Sequence, residues 1–256
     1  GVSEIALGFR LKKLGISYII VERNDEVGGT WYENVYPGCA VDTPNHAYSF
    51  SFGSRYPWSR NFSPRAEIQD YLESVTDELG IRPTIRFGTM LTKATWDDEA
   101  SCWQVTLETL TGEEQLEACA VVSAIGQLSQ VSMPVLEGAD DYQGNKFHTA
   151  RWPAGTDLKD KHVAIIGTGA SAMQIVPEIV DDVASLSIYQ RSAQWVRPIP
   201  RYQDAIPEGA QWLLKNIPLY ASWYRFTMLW RYGDGLLPSL RIDPDWPHPE
   251  RSLNRA

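Results

Sequence analysis

His162-Val-Ala-Ile-Ile166, then Gly167-Thr-Gly169-Ala-Ser-Ala172, then Met173-Gln-Ile-Val-Pro-Glu-Ile-Val180 is the stretch that decides the fold. The first five residues read as a strand, the glycines as a tight turn and the last eight as the continuation of a helix. Leu186-Ser-Ile-Tyr-Gln190 supplies the next strand. Strand, G-x-G-x-x-A turn, helix and strand make a complete βαβ unit, the context that raises a glycine motif above a chance structural turn. Such a turn offers the unpaired N–H groups of a helix N-terminus to a dinucleotide pyrophosphate. Gly167, Thr168, Gly169, Ala170, Ser171 and Gln174 are the candidate contacts. The second strand runs into Arg191 with no acid nearby. A guanidinium makes charge-assisted hydrogen bonds to a ribose 2′-phosphate, whereas an acid would repel it. Arg191, with the Ser192 hydroxyl beside it, therefore favours NADPH over NADH. The competing reading of Arg191 is a solvated surface residue.

Working back to the N-terminus, a second and partial unit appears. Leu7, Leu11 and Leu14 share one helix face, and Gly15 follows where a C-terminal cap belongs. Ile16-Ser-Tyr-Ile-Ile-Val21 reads as a buried strand ending in Glu22. An acid about 20 residues beyond the glycine turn suits an adenosine ribose, and Glu22 stands 21 positions after Gly1. With Gly1 as the second glycine of G-x-G-x-x-G, the third position is Glu4, a departure from the motif. Any amphipathic helix and strand of an α/β protein is the competing reading. Val27-Gly28-Gly29-Thr30-Trp31 follows the acid, and its glycine pair permits close backbone approach to a ligand. Further on, Val121-Val-Ser-Ala-Ile125-Gly126 reads as a short apolar strand ending in glycine. Between Leu91 and Val121, alternation such as Trp103-Gln-Val-Thr-Leu107 with a Thr111-Gly112 turn predicts a small antiparallel meander.

Composition bounds the rest. The chain has 256 residues, 43% hydrophobic and 21% charged, with a net charge of -9. That suits a globular protein and argues against a nucleic-acid or acidic-membrane partner. Cys39, Cys102 and Cys119 are far apart in sequence and form no CxxC pair, so neither a disulfide framework nor a metal site is expected. A reducing cytoplasmic location is the simplest expectation. No apolar run is long enough to span a bilayer, and Asn61-Phe62-Ser63 is a short sequon match of the kind that arises by chance. Aromatics from Trp212 to Tyr232 are expected as packed core or interdomain cover. The chain starts inside a glycine turn and reads as a fragment of a longer protein.

Between the two half-sites lies Tyr142-Gln-Gly144-Asn-Lys-Phe-His148-Thr-Ala-Arg-Trp152-Pro153. It resembles the fingerprint of the flavin-dependent Baeyer–Villiger monooxygenases, aromatic-x-Gly-x-x-x-His-x-x-x-Trp-Pro/Asp, with Tyr142 in place of phenylalanine. Glu22 with Gly28-Gly29-x-Trp31 is similar to the FAD-packing segment of flavoprotein monooxygenases. Tyr36-Pro37-Gly38 with Asp42, Asn45-His46 and Tyr48-Ser49 is similar to the segment beside the isoalloxazine ring. Many members carry arginine two positions before that aspartate; here the residue is Ala40. Gly-Gly-Thr-Trp, Asn-His-x-Tyr-Ser, Gly-Thr-Gly-Ala-Ser-Ala, Gln190-Arg191 and the tail from Trp223 through Leu236-Leu-Pro to Asp243-Pro-Asp-Trp246 look most like the 4-hydroxyacetophenone monooxygenase branch.

The resemblance implies an α/β fold of two Rossmann-like domains, for FAD and NADP, with a small antiparallel β insertion. Residues 1–135 form the FAD half, 136–155 the fingerprint linker, and 156–256 the NADP half with the start of a helical insertion. It implies cofactors FAD and NADPH, and a ketone and O2 as substrates, joined through a flavin C4a-peroxide to give an ester or lactone. Gly1, Glu22, Gly28, Gly29, Thr30, Trp31, Tyr48 and Gly126 would contact FAD. Asp42 would hold an arginine near the flavin. His148 and Trp152 would act at the hinge between the nucleotide domains rather than as acid or base. The family's catalytic arginine falls beyond the last residue, so the piece alone is expected to be inactive. An N- or S-oxygenating flavin monooxygenase, or a degenerate nucleotide-binding module marked by Glu4 and Ala40, are the competing readings.

Overall fold

The computed structural model describes residues 1–53, 55–194, 196, 199 and 202–233. The tail motif from Leu236 to Trp246 lies outside the described residues. The chain divides into two compact units, Gly1–Ala40 with Pro64–Pro198, and Val41–Ser63 with Ile199–Ala256.

In the first unit, α1 (Val2–Lys13) follows Gly1 as N-cap and ends before Gly15, which takes φ +70°. Arg10, Lys12 and Lys13 in its last turn complement the helix dipole. Lys12 Nζ also donates to the carbonyls of Leu79 and Gly80, each at 2.8 Å. The expected strand over 16–21 is shorter than its sequence suggested: β1 is Ile20–Val21, and Ile16 and Ile19 are exposed. Next come α2 (Thr30–Glu33) and, in the second unit, α3 (Asn45–Tyr48). Helix α4 (Arg65–Glu78) returns to the first unit and buries Ile68, Leu72 and Val75, the i, i+4, i+7 stripe of an amphipathic helix, together with Tyr71. A 3₁₀ turn (Arg82–Thr84) leads into β2 (Ile85–Arg86), which pairs parallel with β1 in the register Ile20 to Ile85.

The meander expected between Leu91 and Val121 is present. Strands β3 (Met90–Asp97), β4 (Cys102–Thr109) and β5 (Gly112–Ala118) form an antiparallel sheet in that order. Val105 and Leu107 on β4 are buried and alternate with more exposed neighbours. The strand expected over 121–126 is not formed. Val122 and Ile125 are exposed, and no described strand pairs with this segment. An apolar parallel strand needs hydrogen-bonded neighbours and covered faces, and here β1 extends over two residues and pairs with β2 alone.

The second βαβ unit is complete. Strand β6 (His162–Ile166), helix α5 (Ala170–Ile179) and strand β7 (Ser185–Tyr189) follow in order, with β6 and β7 parallel from His162/Ser185 to Ile166/Tyr189. Ala172, Ile175 and Ile179 form the buried face of α5.

In the second unit, α6 (Glu208–Asn216) and α7 (Tyr220–Tyr232) accompany α3. Asn45 is fully buried; its Nδ2 donates to Arg60 O at 2.8 Å and to Ser63 Oγ at 2.5 Å. Arg225 on α7 donates to the carbonyls of His46, Ala47 and Ser49 at 2.7, 3.0 and 2.7 Å, so a cation closes the C-terminal end of α3. Of the two expectations for this stretch, packed core or interdomain cover, the first does not hold for part of it. Trp212, Trp223, Phe226 and Trp230 are each more than half exposed, at 57%, 57%, 60% and 58%. A single helix face turns toward α3, carrying Tyr224 edge-on to His46, so the stripe at 223, 226 and 230 lies on another face.

Candidate nucleotide sites and the linker between them

The first site gathers around the start of α1. Glu22 follows β1, is buried, and accepts the Asn24 N–H at 2.8 Å; its other carboxylate oxygen stands 3.8 Å from the nitrogen of Gly1. Gly28 and Gly29 have φ of +123° and +56°, and a Cβ on Gly29 would meet Gly1 Cα at 3.1 Å. Two glycine turns thus touch backbone to backbone beside the ribose-type acid. The close helix–strand contact expected of the third motif glycine falls one turn later, at Gly8. A Cβ there would meet Ile20 Cδ1 at 3.1 Å and Ile81 Cγ2 at 3.2 Å. Glu4 is buried in the first turn of α1.

Sequence reading missed the helix that braces this site. Arg65 and Gln69, one turn apart on α4, both serve the Val27–Glu33 segment. Arg65 donates to the carbonyls of Trp31 and Tyr32, and Gln69 Nε2 donates to Val27 O at 2.7 Å. The positive φ of Gly28 favours glycine there, and a Cβ would displace the end of the Gln69 side chain. The i, i+4 spacing of Arg65 and Gln69 was visible, but nothing local said which loop they face. Trp31 is buried, whereas Thr30 is exposed.

At the second site, Gly167 takes φ +104°, Gly169 N-caps α5, and a Cβ on either would have no protein atom within 4 Å. The glycines here leave an open cradle in front of a ten-residue helix whose first turn, Ala170, Ser171 and Ala172, has no side-chain cap. Gly167 N donates to Tyr189 O at 2.9 Å, and Gln190 Nε2 donates to Thr168 Oγ1 at 3.2 Å. These bonds fix the end of β7 beside the turn, so Arg191 and Ser192, both exposed, follow the neighbouring parallel strand.

Gln174 also bonds within the protein. Its Oε1 accepts the Tyr36 hydroxyl at 2.9 Å and its Nε2 donates to Ala40 O at 2.8 Å. Gly38 between them has φ +75°, and a Cβ there would lie 2.4 Å from Gln174 O. Helix α5 of the second half therefore clasps the Tyr36–Ala40 loop of the first.

In the linker, His148 N-caps the 3₁₀ turn Thr149–Arg151. Its Nδ1 accepts the Ala150 N–H at 3.1 Å. Trp152 packs edge-on against Phe147 with centroids 5.1 Å apart. Arg151 Nη1 reaches Glu33 Oε2 at 3.2 Å, and Glu33 Oε1 also takes Arg23 and Asn24. Burial opposes ionisation of Glu33, but the bonds from Arg23 and Asn24, with Arg151 adding, hold its carboxyl below the usual range.

Asp42 and Tyr48 belong to the second unit, where Asp42 is exposed and accepts from Thr43 Oγ1 at 3.4 Å. Gly126 has φ +74° in the segment outside any strand. Among the described residues no cluster of metal-ligating side chains occurs, and no helix is long and apolar enough to cross a membrane.

The description of the flavin-binding monooxygenase-like family matches residues 13–207. Among curated relatives, an uncharacterised monooxygenase of Sinorhizobium fredii is 44% identical over 255 residues, covering 99% of this chain and 38% of its own length. A Baeyer–Villiger monooxygenase of Streptomyces coelicolor is 42% identical over 231 residues, covering 90% of this chain and 43% of the relative. Among solved structures, OTEMO in complex with FAD and NADP superposes with a TM-score of 0.78 at 32% identity, covering 84% of this chain and 42% of that one. Caprolactone-bound cyclohexanone monooxygenase gives 0.74 at 33% identity, over 82% and 41%. The chain spans about two fifths of the length of the relatives it matches. The match over 13–207, from the end of α1 through the linker to the second nucleotide site, places this chain in the flavin-binding monooxygenase-like family.

Proposed function

We propose that the full-length protein is an FAD- and NADPH-dependent Baeyer–Villiger monooxygenase. It would convert a ketone, O2, NADPH and a proton into an ester or lactone, NADP+ and water. The observation that carries this reading is the linker. Its His148-capped turn holds Arg151 on Glu33, at the end of the Gly-Gly-Thr-Trp helix, while Gln174 of the other half holds the Tyr36–Ala40 loop. The relatives named Baeyer–Villiger monooxygenase support it.

The first half fits FAD. Glu22 would accept the adenosine ribose hydroxyls, the N-terminus of α1 would face the pyrophosphate, and Gly28, Gly29, Thr30 and Trp31 would line the approach to the ring. The second half fits NADPH. The open cradle of Gly167 and Gly169 would admit the pyrophosphate to the N–H groups of Ala170 and Ser171, with Arg191 and Ser192 on the 2′-phosphate. The bound flavin supplies the redox and oxygen chemistry; the protein orients the two cofactors and excludes water. His148 and Trp152 hold the linker turn, Gln174 positions the Tyr36–Ala40 loop, and Asp42 and Tyr48 would serve the flavin side. We assign residues 1–135 to the FAD half, 136–155 to the linker and 156–256 to the NADP half. Within the family, the 4-hydroxyacetophenone branch is the branch we favour, supported by Gly-Gly-Thr-Trp and Gln190-Arg191.

The test is turnover by the full-length protein: bound FAD, NADPH oxidation and ester formation from an aryl ketone. Oxidation of amines or sulfides without ester would replace this reading with an N- or S-oxygenase. A folded, flavin-free protein would refute the enzyme reading. Arg191→Ala is expected to raise KM for NADPH at least tenfold while leaving that for NADH nearly unchanged, the loss of one charged hydrogen-bond pair.

A further inference from the structure

We propose that Cys102 and Cys119 form a reversible redox site that closes into a cross-strand disulfide. This goes beyond the oxygenase reading and does not depend on it.

Cys102 opens β4 and Cys119 follows directly on β5, so the two, 17 positions apart in sequence, stand at the same open end of one hairpin. The ladder runs without a slip from Thr109/Gly112 at the turn to Trp103/Ala118 at the open end. One further step in that register sets Cys102 opposite Cys119. The type of pair follows from the turn. Residues flanking a two-residue hairpin loop exchange both backbone hydrogen bonds, and bonded and non-bonded pairs then alternate outward. Counting from Thr109/Gly112, Trp103/Ala118 is a bonded pair and Cys102/Cys119 a non-bonded one. In such a pair the Cα atoms stand about 4.5 Å apart, inside the range of about 4.4–6.8 Å that a disulfide spans.

Side chains at opposed positions of this face already meet. Gln104 Nε2 donates to Glu117 Oε1 at 3.0 Å, and Thr106 Oγ1 donates to Gln115 Oε1 at 3.0 Å. Gln104 Nε2 also lies 3.5 Å from Cys102 Sγ. The ladder stops at Ala118, so Cys119 sits in a bend where its backbone can adjust to the bond. Cys119 is exposed and Cys102 half-buried, while Cys39 is buried in the Tyr36–Ala40 loop.

This division sets the order of events. A peroxide, the oxidant class required, oxidises the exposed Cys119 thiol to a sulfenic acid and leaves as water. The Cys102 sulfur then attacks the Cys119 sulfur. The S–S bond forms, the S–O bond breaks, and the hydroxyl leaves with the Cys102 proton as a second water. Two thiols lose two electrons and the peroxide gains them. A small dithiol reverses the reaction by exchange. The bond pins the chain where it leaves the meander for Val121–Gly126.

The test is non-reducing peptide mapping of the full-length protein after treatment with hydrogen peroxide and alkylation of remaining thiols. The expected product joins the Cys102 and Cys119 peptides, disappears with dithiothreitol, and is absent in Cys102→Ser and Cys119→Ser. The melting midpoint should be higher in the oxidised form than in the reduced form for the wild type but not for Cys119→Ser. Recovery of both cysteines as free, alkylated thiols after peroxide treatment would overturn the proposal. So would Cys119 bridged to a second chain in the wild type and Cys102→Ser alike. The map is read on folded protein whatever its turnover, so a failed ketone assay leaves the result intact.

Discussion

Arg151 Nη1 lies 3.2 Å from Glu33 Oε2, joining residues 118 positions apart. One follows the histidine of the linker fingerprint; the other closes the short helix after the glycine pair. Glu33 is the better-buried partner and holds Arg23 as well, so it is the hub. The partly exposed Arg151 limits what this pair adds to stability, to under about 1 kcal/mol after solvent screening.

The first prediction separates this linkage from stability. Glu33→Gln and Arg151→Met should each lower the melting point little. In the full-length protein each should raise the fraction of NADPH consumed without ester formation. A double-mutant cycle on that fraction should give a non-zero coupling. Additive effects would show that the pair does not act as a unit. Since the Glu33 pKa is depressed in the fold, its stabilisation is present above the ordinary carboxylate range and is lost as pH falls through the folded value.

The second concerns the Gln174 clasp. Tyr36→Phe removes the hydrogen bond to Gln174 and leaves a half-buried acceptor, at about 1 kcal/mol. Gln174→Ala removes two, at about 2 kcal/mol, and should speed flavin loss from the full-length protein. Urea unfolding and flavin fluorescence measure the two effects; equal stability of Gln174→Ala and wild type would contradict the clasp.

The third compares two glycines with positive φ. At Gly38 a Cβ would meet the Gln174 carbonyl at 2.4 Å; at Gly112, with φ +125°, it would meet nothing within 4 Å. Gly112→Ala should cost the backbone strain alone, about 1 to 2 kcal/mol. Gly38→Ala should cost at least about 2 kcal/mol more, since backbone must move. Similar losses for both, by denaturant titration, would show that the Gly38 loop yields easily.

The fourth is a pH effect in the second unit. Burial, with Arg225 adding, lowers the His46 pKa to about 4. The unfolded ring takes up its proton near pH 6.5, so stability is full above that value and falls as pH drops toward 4. The loss is at most about 3 kcal/mol. His46→Phe should flatten the stability profile between these values, and an unchanged profile would remove His46 as its source.

A fifth prediction follows from Glu4. Its carboxylate sits at the N-terminal end of α1, where a diphosphate would bring like charge. Glu4→Gly in the full-length protein should tighten FAD several-fold, measured by flavin titration of the apoprotein. Weaker FAD binding would assign Glu4 a supporting role.

Local sequence determined the elements whose cause is local. The Gly167–Ala172 turn, α5 and β7 follow from a glycine pattern set between apolar runs, and the meander follows from alternation around Thr111-Gly112. The same patterns carried the likeness to flavin monooxygenases. Sequence alone overstated the strands at 16–21 and 121–126, because an apolar run becomes a strand only when neighbours complete its hydrogen bonds and cover its faces. Tertiary structure alone decided which distant groups meet: Arg65 and Gln69 under the Gly-Gly turn, Gln174 on Tyr36, and Arg151 on Glu33. Helix and strand periods fix which residues share a face of one element. Which face meets which loop is set when the elements pack, and no spacing along the chain encodes that directly.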